Sequence, residues 1–148
     1  MTLSNYNFEA VKSLIRVLNS GIDFYKKAAS ETTDNRYNDV FSRMITEKVR
    51  AIALLQPFVV ADEGSIEEGN ALAVEIRESY THLIGMFKKD NIHLYLSQLE
   101  ELEDKVLEKV NKALATTVPA PCEAALYQIK ERMKLCHDEM RALDVITQ

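Results

Sequence analysis

Residues 7–30 read NFEAVKSLIRVLNSGIDFYKKAAS, and the fold class rests on the spacing within them. Phe8, Val11, Ile15, Leu18, Ile22, Tyr25 and Ala29 recur at alternating steps of three and four. That spacing places them on one face of a helix turning about 100° per residue, with no strand alternation in competition. The reading predicts a helix over 7–30. It ends at Thr32-Thr33-Asp34-Asn35, whose short polar side chains compete for backbone hydrogen bonds and supply the next N-cap.

Working outward, Tyr37, Val40, Phe41, Met44, Ile45, Ala51, Ile52, Leu55 and Phe58 form a second stripe. It gives out near Pro57 and the polar Asp62-Glu63-Gly64, so the first two helices make an antiparallel hairpin with a short loop. Ser65 with Glu68 fits a capping box, and Ala73, Ile76, Tyr80, Leu83 and Phe87 predict a shorter third helix ending near Lys88. Asp90-Asn91 caps a fourth, which carries Ile92, Tyr95, Leu96, Leu99, Leu102, Val106, Val110 and Ala113 and stops before 116–119. Pro121 suits the first turn of a fifth, along which Cys122, Leu126, Ile129, Met133, Cys136, Met140 and Leu143 continue the pattern.

Five stripes with no strand signal predict one all-α domain spanning 1–148. The third helix serves as a crossover, so the second and fourth run parallel. The 148 residues are enough to bury a core without staples, and 47% hydrophobic with 28% charged composition excludes a disordered chain. No run approaches the roughly 18 apolar residues of a membrane span, and the first residues lack signal-peptide character, so a cytoplasmic protein without a membrane partner is expected. The net charge of −5 arises from 23 acidic and 18 basic residues in every segment, which argues against nucleic acid as a partner. Cys122 and Cys136 lie about 21 Å apart on one helix and read as buried small hydrophobes, since neither a disulfide nor a CxxC zinc site is available.

Polar residues on core stripes are the candidate site. Glu47 has Val40 and Leu54 seven residues away on either side, and Glu103 has Leu96 and Val110, so both acids are expected to turn inward. Lys48 falls in line with Phe41 and Leu55, and pairs with Glu103 or Glu47 or snorkels to the bundle edge. Tyr25 and Tyr80 complete the expected polar layer through their hydroxyls. Asp23 and Glu131 fall on outward faces, His82 and His93 read as surface residues, and His137 lies at the edge of the last stripe. No Ser-His or Cys-His pair and no phosphate loop emerges, so catalysis is not expected.

The stretches LIRVLNSGIDFYKKAA at 14–29, LEELED at 99–104 and HDEMRAL at 137–143 resemble, in the same order, an uncharacterised bacterial family of ferritin-like four-helix-bundle proteins, a domain of unknown function. The resemblance implies a ferritin-like bundle and a role in stress physiology. For the wider ferritin-like group it implies an iron or manganese centre built from inward Glu residues and Glu-x-x-His motifs. Here Glu47-Lys-Val-Arg50 and Glu131-Arg-Met-Lys134 lack the histidine, and no histidine has a Glu three residues before it. The expectation is therefore a non-catalytic bundle without a cofactor, acting as a homodimer or through a protein partner. The alternative is a metal-binding redox or storage protein using Glu47, Glu103 and His137.

Overall fold

The structure is a computed structural model that describes residues 6–69 and 92–147. Among them are four helices and no strand: α1 (Glu9–Glu31), α2 (Asn35–Glu63), α3 (Ile92–Leu114) and α4 (Ala120–Thr147). No described helix is long and apolar enough to cross a membrane. The predicted third helix falls mostly on residues outside the described ones. Its predicted capped start does not form, because residues 64–69 are not helical. The Glu67 backbone N–H donates instead to Gln56 Oε1 at 2.9 Å, and Gln56 Nε2 returns a bond to the Glu67 carbonyl at 2.8 Å.

Local chemistry sets the helix ends. Asp34 Oδ1 accepts the Arg36 N–H at 2.9 Å and so satisfies one of the donors that a helix start leaves open. Pro57 does not end α2. It sits on an exposed position, and the buried Leu55 and Val59 on either side keep the helix packed until Gly64 closes it. Gly64 adopts φ 87°, a left-handed conformation that costs a side chain about 1–2 kcal/mol, and its N–H bonds the Val60 carbonyl at 2.8 Å.

Cross-helix contacts give the directions. Lys12 near the start of α1 pairs with Glu63 at the end of α2, and the Asn7 N–H reaches the Thr117 carbonyl beyond the end of α3. α1 is therefore antiparallel to both. Arg43 with Glu139, and Glu47 with Arg132, make α2 and α4 antiparallel as well. It follows that α2 and α3 run parallel, and the chain leaves α2 at one end of the bundle to enter α3 at the other. The core between them is formed by Leu14, Leu18, Phe41, Leu55, Leu99, Val106, Leu126 and Met133, all fully buried.

Candidate functional site

A charged cluster interrupts that apolar core. Lys48 on α2 and Glu103 on α3 are both 0% exposed, and Lys48 Nζ lies 2.7 Å from Glu103 Oε2. The Tyr25 hydroxyl on α1 donates to the same oxygen at 2.5 Å. The ammonium also lies 5.0 Å from the centre of the Tyr25 ring, within range of a cation–π attraction. Phe41 also packs against that ring, tilted by 50° with centroids 5.7 Å apart.

Burying two charges is costly, and a lysine stem needs room. The room comes from Gly21 on α1, where a Cβ would come within 3.1 Å of both Lys48 Cδ and Cε. A glycine in mid-helix costs roughly 0.5–1 kcal/mol against alanine, so its presence here fits a packing requirement and not a turn. Burial pushes the Tyr25 phenol well above its usual value, and the neighbouring Glu103 carboxylate adds to the effect. The hydroxyl therefore stays protonated and available as a donor. Cys136 on α4 adjoins the same charges. Its thiol is pushed up to about 12, chiefly by burial, with Lys48 acting in the opposite direction. Cys122 is raised to about 11 by burial alone. Neither thiol has the lowered pKa that makes a cysteine reactive.

The remaining candidates lie elsewhere. Glu47 sits at the seam between α2 and α4, where Arg132 Nε donates to its Oε1 at 3.0 Å and Arg132 Nη2 bonds Oε2. That hydrogen bonding holds the Glu47 carboxyl below the usual carboxylate range. His137 on α4 contacts Asp104 Oδ1 through Nε2 at 2.7 Å and Asp138 Oδ1 through Nδ1 at 3.1 Å. Tyr80 and His82 lie outside the described residues, as does the side chain of His93. The structure thus brings together Tyr25, Lys48 and Glu103, and places Glu47 apart from them.

A dinuclear centre needs several carboxylates and imidazoles converging on one point. Glu47, Glu103 and His137 do not converge. Each is bonded into a different cluster, and among the described residues no group of three or more His, Cys, Asp or Glu is placed to hold a metal ion. Glu103 Oε2 already accepts from an ammonium and a phenol, and Glu103 Oε1 is buried without a hydrogen-bond partner but has no second carboxylate or imidazole placed beside it among the described residues. Among the described residues, the donor set does not fit an iron or manganese centre. Two features of the core are not singled out by the stripes: Gly21, whose importance depends on a neighbour from another helix, and the buried Asp144, which stands four residues beyond Met140 on the last stripe and accepts from Ser97 at 3.1 Å.

A family model described as "Domain of unknown function (DUF2383)" matches residues 7–116, more than half of the chain. The chain belongs to the DUF2383 family. The DUF2383 match takes in Gly21, Tyr25, Lys48 and Glu103, so the whole buried cluster lies within it. It stops before α4, which supplies Arg132, Cys136 and His137. No curated protein and no solved structure matches the chain.

Proposed function

We propose that this protein is a non-catalytic, ferritin-like bundle that works in the cytoplasm by associating with a second copy or a protein partner. In this reading, an internal ion pair closes the core where relatives of that fold hold metal. The observation that carries it is the Lys48 ammonium at 2.7 Å from the fully buried Glu103 carboxylate. A lysine in that position supplies the positive charge that a carboxylate in a helical core requires, and does so without a bound ion. The ferritin-like assignment is supported by the parallel run of α2 and α3, which demands a long connection between them. The role in stress physiology rests on the sequence resemblance.

Metal analysis of protein purified from cells grown with added iron and manganese tests the reading. We expect well under one equivalent of either metal per chain. Two equivalents, retained through dialysis, would contradict it and shift the account to a metalloprotein.

A further inference from the structure

The seam between α2 and α4 differs in composition from the outer side of α3. It holds an open cleft of about 260 Å³, floored by Ala51 and Ile129 and walled by Leu54 and Gln128. Among the described residues that line it, the cations are Arg50 and Arg132, with no lysine. Arg36 and Arg43 continue the line of Arg50 at seven-residue steps along α2, and all three are exposed. Arginine is enriched and lysine depleted where proteins meet, whereas the outer side of α3 carries the Lys and Glu mixture of a solvated face, with Glu101, Asp104, Glu108 and Lys112 exposed. Residues 66–69 do not reach the seam. They lie against α1 through Arg16 and Asn19, and against Gln56, about 200° around α2 from Leu54.

We infer that this seam is the contact face of a two-fold homodimer, in which α2 of each copy lies over α4 of the other. The inference deepens the reading of the bundle as an association module and rests on it. Its first support is charge complementarity. Because α2 and α4 are antiparallel, Arg43 is level with Glu139, and Glu47 with Arg132. A two-fold axis parallel to the helices keeps every residue at its own level while exchanging the two helices. It therefore sets each of these arginines over a glutamate of the second copy, with no like charges opposed in either pair. A face that satisfies itself in this way is the requirement for a closed, isologous dimer.

The second support is shape and size. Leu54 is 38% exposed, a large apolar side chain left partly in water, and it stands at the level of the cleft it borders. The same symmetry carries Leu54 of each copy to the cleft of the other. α2 and α4 contain 29 and 28 residues, so the face is roughly 42 Å long and about 20 Å wide. That is roughly 800 Å² per copy, the area a specific, stable interface uses.

Sedimentation equilibrium of the full chain over a micromolar range decides the matter, with variants whose folding is checked by circular dichroism. The wild type should sediment as a dimer. Leu54→Glu should raise its dissociation constant at least about tenfold, as should Arg132→Glu, while Arg132→Glu combined with Glu47→Arg should recover most of the loss. Val145→Glu, on an exposed position away from the seam, should leave the dimer intact. A wild type that stays monomeric overturns the inference. A dimer equally tight in Leu54→Glu overturns this face while leaving self-association standing, and the metal content reports separately on the reading beneath both.

Discussion

At the scale of single residues, Lys48 shows what periodicity can and cannot locate. Its neighbours seven residues away, Phe41 and Leu55, are both fully buried, and so is Lys48 itself. Glu103, between the buried Leu96 and Val110, behaves the same way. The same argument turns Glu47 inward, but its neighbours Val40 and Leu54 are half-buried and exposed, so they mark the edge of the stripe and Glu47 shares that edge. The spacing argument thus holds where the flanking residues are themselves core. It could not reveal Gly21 or the Arg132 partner of Glu47, because a partner on another helix leaves no mark on the local period. Gly21 supports a direct test. Alanine there gains roughly 0.5–1 kcal/mol of helix propensity but presses on a stem whose Nζ is fixed by Glu103, and overpacking of this kind costs roughly 1–3 kcal/mol. Gly21→Ala should therefore be destabilised by about 1 kcal/mol in urea unfolding, and a net gain would show that the Lys48 stem is free to move.

At the scale of elements, four of the five apolar stripes correspond to described helices, with ends set by the predicted chemistry at Asp34 and Pro121. The third stripe, Ala73 to Phe87, lies outside the described residues, and the departure of its predicted capped start at 65–68 has a physical cause. The Ser65–Glu68 pattern marks a capping box only if the backbone there is free to turn helical, and Gln56 and Asn19 take up its polar groups instead. His137 links α3 to α4 through Asp104, and the direction of its pKa shift predicts that their packing depends on pH. Burial alone would lower its pKa, but the hydrogen bonds and charges of Asp138 and Asp104 outweigh it, and the net shift is upward. A raised pKa in the folded state means that protonation favours folding. The stabilisation is complete below the unfolded value of roughly 6.5 and is lost as pH rises through the higher folded value. His137→Gln should therefore lower the melting temperature more at pH 5 than at pH 9. An equal effect at both would mean that the ring acts by packing and not by charge.

For the whole molecule, the question is what the buried Lys48–Glu103 pair does for the bundle. An apolar core of this size needs no ions to fold, and a buried ion pair is often no more stabilising than well-packed hydrophobic residues of similar volume. Its two halves nevertheless depend on each other. Removing one partner leaves an uncompensated charge in the core and typically costs roughly 3–5 kcal/mol, a large fraction of the stability of a domain. The Tyr25 hydroxyl adds a bond to the charged oxygen and draws α1 into the same contact, so α1, α2 and α3 share one polar point. Comparing the unfolding free energies of Glu103→Leu and of Glu103→Leu with Lys48→Met measures this dependence most directly. The account predicts that the double variant recovers most of the roughly 3–5 kcal/mol lost by the single one. Equal instability of the two, accompanied by loss of bound iron or manganese, would contradict a structural ion pair.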